Sequence, residues 1–327
     1  MTLGVVLAAG AGSRFGAPMH KLLVPFRGRP LVAWALDAVA GAGFADAIVV
    51  TGAADLSAVA ARSGVRTVPN PSWRDGQATS LAVAVRDAAA GDHDAVVVGL
   101  GDQPLVEAEA WRRVGAARGS VAVATYDGRR GNPVRLDRSV WPLLPAGGDA
   151  GARMVMRTRP DLVTEVPCPG LALDVDTPAD LDLAAVAALL GRLPRGDFDV
   201  VVRDRDGGPL VVRNAPLLHD GTPMPTRHWL VGEAERVAVS RLEAAGGVRR
   251  AEASVPAAAV AATHARASAE RDAALPPGWT GPRPSGGVAG TRQGVKCLHA
   301  HYAEHLAGVD DPLGRWVADQ LRDPGAK

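Results

Sequence analysis

Short apolar runs alternate with helix-like segments over the first 190 residues, and this alternation constrains the fold more than any other feature of the sequence. It is typical of a mostly parallel sheet with helices packed on both faces. The predicted strands are residues 3–7, 47–50, 65–68, 95–100 and 121–125. The predicted helices are residues 30–40, 56–61, 80–89 and 107–116. We therefore expect a three-layer α/β domain, with ligands beyond the carboxyl ends of its strands.

The length of 327 residues predicts two domains, at roughly one domain per ~150 residues. A helix over 178–190, with Thr177 as its N-cap and Pro178 in its first position, is expected to close the first domain, 1–190. Residues 191–197 are the predicted linker, and 198–327 the predicted second domain. There, a hairpin turn at 206–208 lies between strands 198–203 and 209–213, and helices follow at 233–244, 257–274, about 297–306 and 312–321. This order predicts a smaller α+β domain.

Charge and cysteine content exclude several classes of protein. The 36 basic and 35 acidic residues give a net charge of +1, so no overall field attracts nucleic acid or a membrane surface. No run of about 20 apolar residues is present to span a bilayer. Two cysteines cannot form a disulfide framework, and the first residues lack the pattern of a signal peptide. We therefore expect a cytoplasmic protein.

The segment 7–16, Leu-Ala-Ala-Gly-Ala-Gly-Ser-Arg-Phe-Gly, follows the first predicted strand. Small residues let backbone N–H groups approach phosphate oxygens, and Arg14 and Lys21 add positive charge, which together favour a triphosphate-binding loop. The loop lacks the Gly-Lys-Ser/Thr of the P-loop and the third glycine of the dinucleotide-binding fingerprint. By itself it is equally compatible with a turn that only connects a strand to a helix.

With Lys21-Leu22-Leu23 downstream, this segment resembles the opening motif of the molybdenum-cofactor guanylyl- and cytidylyltransferases, L-A-[AG]-G-x-[SG]-x-R-[MF]-G followed by a lysine. The resemblance implies a Rossmann-like nucleotidyltransferase domain and catalytic roles for Arg14 and Lys21. It departs from the family in the four residues, 17–20, that separate Gly16 from Lys21, where many members have fewer. The nucleotide-binding residues implied in this loop are Leu7, Ala8, Ala9, Gly10, Gly12 and Ser13.

Further segments match the same family in the same order along the chain. The segment 73–80 resembles W-x-x-G-[QM]-x-x-S and implies nucleotide contacts from Gln77 and Ser80, whereas alone it also fits a capped helix start. The turn 101–104, Gly-Asp-Gln-Pro, and the segment 174–178, Asp-Val-Asp-Thr-Pro, imply that Asp102 and Asp176 bind Mg²⁺. Two adjacent carboxylates repel unless a cation lies between them. The acceptor side is implied at Gly131, Asn132 and Pro133, and in the segment 148–153.

The resemblance implies a Mg²⁺-dependent enzyme that moves a nucleoside monophosphate from an NTP to a phosphorylated small molecule and releases pyrophosphate. In the family, alanine at the position of Ala9 accompanies cytidylyl transfer, which favours CTP and a molybdopterin-type acceptor. Two alternatives stay open. One is a nucleotidyltransferase for sugar phosphates or other small phosphate esters, and the other is a non-catalytic NTP-sensing scaffold that serves the second domain.

Residues 198–321 resemble a bacterial family known as domain of unknown function 501, through the segments 213–216, 223–227 and 286–302. On a helix, Cys297, His301 and His305 would lie on one face, an acceptable spacing for metal ligands, with His299 nearby. A buried cysteine with hydrogen-bonded histidines explains the same pattern. A third hypothesis is an anion site formed by backbone amides together with the basic side chains of Arg283, Arg292 and Lys296.

Overall fold

The computed structural model describes residues 1–16 and 18–322 and divides them into two compact units. The first unit is Met1–Ala184, and the second begins at Ala185. The division falls inside the helix Pro178–Leu190 rather than at its end, because Val186 near its C-terminal end packs with Val212 and Val231 of the second unit. Ala17, in the spacer before Lys21, and residues 323–327 of the expected second domain lie outside the described residues.

A seven-stranded sheet forms the centre of the first unit, in the order β5-β4-β1-β6-β8-β7-β9. Its strands are β1 (Thr2–Ala8), β4 (Asp46–Thr51), β5 (Arg66–Pro69), β6 (Ala95–Leu100), β7 (Val121–Tyr126), β8 (Arg129–Asp137) and β9 (Val163–Pro167). The short strands β2 (Pro25–Phe26) and β3 (Arg29–Pro30) pair separately. Neighbouring strands from β5 to β6 are parallel, as are β7 and β9, and only β8 runs antiparallel to its neighbours. The predicted mostly parallel α/β sheet is therefore confirmed.

Helices cover both faces of this sheet. They are α1 (Leu31–Ala40), α2 (Ser57–Arg62), α3 (Gln77–Ala90), α4 (Ala108–Ala116) and α5 (Gly151–Thr158), and α6 (Pro178–Leu190) follows β9. Alternate side chains of β1 enter opposite cores: Val5 packs in the cluster that contains Leu81 of α3, and Val6 in the cluster that contains Leu36 of α1 and Trp111 of α4. Both faces of the strand are therefore buried, which explains its continuous apolar run.

The second unit combines a three-stranded antiparallel sheet with helices. The sheet contains β10 (Phe198–Arg203), β11 (Pro209–Asn214) and β12 (His228–Leu230). The helices are α7 (Glu233–Ala244), α8 (Gly247–Ser254), α9 (Ala257–Ala273), α10 (Leu298–Leu306) and α11 (Pro312–Arg322). The structure confirms the predicted hairpin and the α+β class. Among the described residues, no helix is both long and apolar enough to cross a bilayer.

The register of the first sheet determines where its ligand-facing loops meet. Leu7 of β1 lies opposite Leu100 of the parallel strand β6, so the loops that follow these two strands begin side by side. The amide of Gly101 donates to the carbonyl of Leu7 at 3.0 Å, which holds the two loops together. The glycine-rich loop and the Gly-Asp-Gln-Pro turn are thus brought to the same edge of the sheet.

Candidate active site in the first unit

Two carboxylates and one ammonium lie together at this edge. Lys21 Nζ donates to Asp102 Oδ2 at 2.7 Å and to Asp176 Oδ1 at 2.8 Å. Arg14 Nη1 lies 3.0 Å from the other oxygen of Asp176, although its side chain is 75% exposed. The structure therefore brings together the four residues for which the sequence predicted catalytic or metal-binding roles, from three distant parts of the chain.

The side chain of Lys21 is held in place by its neighbours. The side chain is 11% exposed. Burial lowers the pKa of Lys21, but the opposing charges and hydrogen bonds of Asp102 and Asp176 outweigh burial and raise the pKa overall. Its aliphatic stem passes Gly12, where an added Cβ would lie 2.8 Å from Lys21 Cγ. His20 Nε2 forms a 2.9 Å hydrogen bond with the carbonyl of Gly10. His20, directly before Lys21, is thus hydrogen-bonded to the glycine-rich loop.

The glycine-rich loop has the backbone shape that its sequence requires. Gly12 has φ +63° and Gly16 has φ +66°, a region in which side chains with a Cβ are strained. The loop lines a cavity of about 720 Å³. All six predicted nucleotide-binding residues of this loop line that cavity, namely Leu7, Ala8, Ala9, Gly10, Gly12 and Ser13.

The acidic cluster includes a carboxylate oxygen that no donor satisfies. Asp102 Oδ1 is buried without a hydrogen-bond partner, so its capacity to accept is unused. Asp174 lines the same cavity, and desolvation of its carboxyl group together with the charge of Asp102 raises its pKa. Excess carboxylate oxygen of this kind suits a hard divalent cation such as Mg²⁺. The residues present therefore fit the metal that the family resemblance implies.

Helix α3 begins at the rim of this cavity. Its first amide, of Gln77, donates to Asp149 Oδ1 at 3.3 Å, and the amide of Ala78 donates to the carbonyl of Gly148 at 2.9 Å. Gln77 and Ser80 both line the cavity, but Ser80 is 4% exposed and its hydroxyl accepts a 2.9 Å hydrogen bond from Asn70. The segment therefore forms a capped helix start, and both residues keep their predicted nucleotide contacts as a proposal.

The predicted acceptor residues lie on β8. Gly131 and Asn132 line a second cavity, of about 450 Å³, and Pro133 is buried directly after them in the strand. Asn132 Nδ2 donates to Gln103 Oε1 at 3.2 Å, and Gln103 Nε2 donates to Asp174 Oδ1 at 2.8 Å. A hydrogen-bond chain therefore connects the expected acceptor strand to the acidic cluster.

The two cavities adjoin each other. Both are lined by Leu7, Gln77, Leu100 and Arg153. The lining of the 450 Å³ cavity includes both basic and apolar residues. Its basic residues are Arg130, Arg153 and Arg157, and its apolar wall includes Leu81, Val98, Val123, Val134 and Met156.

Sequence reasoning did not single out several residues of this site. Gln103 and Asp174 were inside recognised motifs but carried no predicted role, and β8, β9 and α5 were not predicted as elements. Arg153 is part of the segment 148–153, yet its place between the two cavities follows only from the fold of α5. For Asp174, the available signal was the sequence Asp-Val-Asp at 174–176, in which only the second acid, Asp176, was predicted to bind metal.

The expected metal face of α10 is not formed in the second unit. His301 Nδ1 pairs with the buried Asp311 at 2.7 Å, and its ring packs 5.6 Å from the ring of His264. His301 therefore points away from Cys297, which precedes α10, and the set Cys297, His301 and His305 does not converge. Among the described residues, the group that could hold a metal near Cys297 consists of Glu243, Cys297 and His299.

The anion hypothesis for the start of α10 also meets a structural objection. The helix begins at Leu298, and Glu243 Oε1 accepts the hydrogen bond of its amide. A bound anion would have to compete with this carboxylate for the helix N-terminus. Arg292 and Lys296 are exposed, and Arg283 Nη2 is 3.5 Å from the carbonyl of Trp279. This arrangement argues against a phosphate site at this helix.

Comparisons with known proteins agree with this division of the chain. Residues 4–163 match the MobA-like NTP transferase domain, and residues 200–319 match a family described as a protein of unknown function, DUF501. The nicotine blue oxidoreductase of Paenarthrobacter nicotinovorans is 36% identical over 190 residues, which is 53% of this chain and 91% of the relative.

Two further proteins are also similar to this chain, one over a shorter stretch of sequence and one with a lower structural agreement. The bifunctional protein GlmU of Sinorhizobium fredii is 38% identical over 108 residues, which is 32% of this chain and 24% of that relative. The solved structure of a nucleotidyl transferase from Methanothermobacter is 28% identical with a TM-score of 0.47, and the match covers 55% of this chain and 94% of that one.

Proposed function

Since the chain belongs to the MobA-like NTP transferase family and is a nucleotidyltransferase, we propose that its first unit transfers a nucleoside monophosphate from CTP to a phosphorylated acceptor in a Mg²⁺-dependent reaction that releases pyrophosphate. The proposed acceptor is a molybdopterin-type phosphate, and the proposed location is the cytoplasm. The proposed catalytic residues are Arg14, Lys21 and Asp102, with Asp102 and Asp176 as the metal ligands.

The observation that carries this proposal is the convergence of Lys21, Asp102 and Asp176 within hydrogen-bond distance beside a glycine-rich loop. A lysine that only neutralised two structural carboxylates would satisfy both of them. Here Asp102 Oδ1 stays buried without a partner, which favours a role in binding a ligand or a metal over a purely structural role.

The protein contributes to this reaction mainly by positioning the substrates and by neutralising charge. An acceptor phosphate oxygen forms a bond to the α-phosphorus of the NTP, the bond from that phosphorus to the oxygen of the β-phosphate breaks, and pyrophosphate leaves in line. A phosphate monoester is already ionised near neutral pH, so no general base is required. Mg²⁺, when bound by Asp102 and Asp176, would neutralise charge on the α-phosphate.

The basic side chains would act on the triphosphate. The ammonium of Lys21 has three N–H donors, of which two are directed at Asp102 and Asp176, so one is available for a phosphate oxygen. Arg14 is largely exposed and can turn from Asp176 towards the leaving pyrophosphate. The backbone amides of the glycine-rich loop would hold the β- and γ-phosphate oxygens.

The 450 Å³ cavity supports a phosphorylated acceptor with an apolar or aromatic body. Arg130, Arg153 and Arg157 supply charge for a phosphate, and the wall beside Val98 and Met156 is apolar. The flat face of a pterin can pack on such a wall, and polar residues such as Asn132 also line the cavity. This supports the proposed molybdopterin-type acceptor, with a sugar phosphate as the alternative.

The experiment is a pyrophosphate-release assay of the purified chain with Mg²⁺, in which each of the four NTPs is offered with molybdopterin-type and sugar-phosphate acceptors. We expect release with CTP and the molybdopterin-type acceptor, and none with Asp102→Asn. Asp92→Asn is the matched control, because this carboxylate is 93% exposed and pairs only with Arg138 among the contacts described.

Other outcomes of this assay would change the assignment. Release with a sugar phosphate alone would replace the acceptor while keeping the reaction. Nucleotide binding without release against any acceptor would support the scaffold alternative. The name of the Paenarthrobacter relative describes an oxidoreductase, and reduction of nicotine blue in a separate assay, with no pyrophosphate release from any NTP, would overturn the proposed reaction.

A further inference from the structure

A second cluster of ligand-type side chains lies in the second unit, far along the chain from Lys21, Asp102 and Asp176. His228 begins β12, Glu270 belongs to α9 and Glu304 belongs to α10, and each offers one ligand atom within 4.8 Å of the others. His228 Nδ1 and Glu304 Oε2 are 3.0 Å apart, and their side chains are only 4% and 3% exposed. Glu270 is exposed and completes what we call the His228 cluster, consisting of His228, Glu270 and Glu304.

Hydrogen bonds do not account for the two buried members of this cluster. His228 Nδ1 and Glu304 Oε2 are both buried, and neither has a hydrogen-bond partner. Their 3.0 Å approach is close, yet its geometry is not that of a hydrogen bond. A buried carboxylate oxygen and an imidazole nitrogen without partners are costly, because each has lost its water. A cation bound between the two atoms would remove this cost.

The other candidate metal group of this unit is explained without any ligand. Glu243 Oε1 accepts from the amide of Leu298 and forms a 3.2 Å hydrogen bond with His299 Nδ1. His299 Nε2 is 3.1 Å from both Ser240 Oγ and the carbonyl of Arg236. Glu243 and both ring nitrogens of His299 are thus engaged, so this group serves as a helix cap and a tie between α7 and α10.

We propose that His228, Glu270 and Glu304 bind a divalent transition-metal ion, Zn²⁺ or Mn²⁺. One imidazole and two carboxylates form a mixed nitrogen and oxygen donor set that suits these ions. Ligand atoms about 2.0–2.2 Å from one metal lie roughly 3.0–3.5 Å from each other, and the His228–Glu304 separation has this value.

The surroundings of the cluster support the same assignment. Arg227 Nε donates to Glu270 Oε1 at 3.3 Å, and its Nη1 donates to the carbonyl of Asn214. A metal-binding carboxylate is commonly oriented by an outer hydrogen bond of this kind. The three ligands come from a strand and two helices, so a bound ion would crosslink β12, α9 and α10 and stabilise the second unit.

The test uses the full chain and two measurements. Calorimetric titration with Zn²⁺ and with Mn²⁺, after treatment with a chelator, is expected to give a site that Glu270→Gln weakens at least about 10-fold, since it removes one of three ligands. Asp272→Asn is the control on the same helix, with a side chain 42% exposed against 43% for Glu270. Because Asp272 pairs with the buried Arg271, the shift of the midpoint on adding metal is compared, not the midpoint itself. The thermal unfolding midpoint should rise with metal in the wild type and in Asp272→Asn, and less in Glu270→Gln.

The variants also distinguish this cluster from the other acidic groups of the chain. Glu304→Gln is expected to weaken metal binding as much as Glu270→Gln does. Because Glu304 is buried, this variant can fail to fold, and in that case Glu270→Gln alone tests the proposed site. Metal binding that is unchanged in Glu270→Gln, lost in Cys297→Ser, or lost only in Asp102→Asn would place the ion elsewhere and overturn the proposal. So would the absence of any titratable Zn²⁺ or Mn²⁺ site. Because these readouts do not involve pyrophosphate release, failure here leaves the proposed function of the first unit unaffected.

Discussion

The two acidic clusters of this protein compensate their charge in different ways. In the first unit, Asp102 and Asp176 face the ammonium of Lys21, and Arg14 approaches from the surface. In the second unit, the buried Glu304 lies 3.0 Å from His228 Nδ1, and Arg227 is bonded to the exposed Glu270. Among the described residues, the first cluster thus contains a lysine as its cation, whereas the ion-pair partner of Glu304 is an imidazole, which is charged only when protonated.

The difference predicts different relations to metal. A cluster that carries its own cation can fold without a metal, and it can exchange a weakly held Mg²⁺ together with its substrate. A buried cluster without one gains folding free energy when a metal binds. We therefore expect the first site to use metal in turnover and the second to use it in stability.

The largest expected effect is that of Asp102→Asn on turnover. The substitution removes a negative ligand and the partner of Lys21, so the rate of pyrophosphate release should fall at least about 10³-fold. The thermal midpoint should change little, because Lys21 keeps Asp176 as its partner, the repulsion between Asp102 and Asp174 is relieved, and the asparagine keeps the size of the side chain. A rate within about fivefold of wild type would mean that Asp102 is not a catalytic residue and that it only forms a structural ion pair with Lys21.

Lys21→Ala should lower turnover about 10²-fold, since it removes a charge that faces the triphosphate. It should also lower the free energy of unfolding by about 1–3 kcal/mol without Mg²⁺, because two carboxylates then face each other with no ammonium between them. Chemical denaturation with and without Mg²⁺ measures both states. Added Mg²⁺ should recover part of the lost stability, and no recovery would argue that the carboxylates do not share a metal.

Gly12→Ala should reduce turnover about 10-fold and destabilise the fold by about 1–2 kcal/mol, because φ is +63° and the new Cβ would meet the stem of Lys21. Gly128→Ala is the matched control. Gly128 has φ +76° with open space around an added Cβ, so it should show the backbone cost without the loss of rate. Equal rates in the two variants would mean that the position of Lys21 over the loop is not important for catalysis.

Chelation should affect the two units unequally. Hydrogen exchange of the metal-treated and chelated chain should show several-fold faster exchange in α9 and α10 after chelation, and little change in β1 and β6. The reason is that the first cluster retains Lys21 whereas the second loses its crosslink. Faster exchange in β1 and β6 alone would mean that metal stabilises the first unit and not the second, which would contradict the prediction.

The smallest effect is expected for Asp174→Asn. Desolvation and the charge of Asp102 raise the pKa of Asp174 above its ordinary value of 3.8, so its ionised form disfavours the folded state. The asparagine variant should be more stable than wild type near neutral pH without Mg²⁺, by less than about 1 kcal/mol because the residue is exposed. Denaturation at several pH values should show the advantage disappearing as the pH falls below 3.8, where Asp174 is protonated in both states. A constant advantage across this range would mean that Asp174 does not titrate as described.

Much of the first unit was predictable from sequence because its signals are local. Strand β6 was predicted with its observed bounds, and α6 begins at Pro178 as its capping pattern indicated, where the amide of Asp180 bonds to the hydroxyl of Thr177. Strand β8 was not predicted, because its first half, with Arg129, Arg130 and Asn132, carries no alternating apolar pattern. In the second unit, the short strand β12 and helix α8 were missed for a similar reason.

The sequence by itself determined the α/β class of the first unit, the α+β class of the second and the identity of the residues around Lys21, because strand runs, glycine turns and helix caps depend on near neighbours. The tertiary structure decided which carboxylates lie next to a cation and that Gln103 connects Asn132 to Asp174. It also decided that His228 lies next to Glu304, and that His301 pairs with Asp311 instead of lying beside Cys297. Contacts between distant segments depend on how elements pack, and packing is set by the whole core rather than by any one segment.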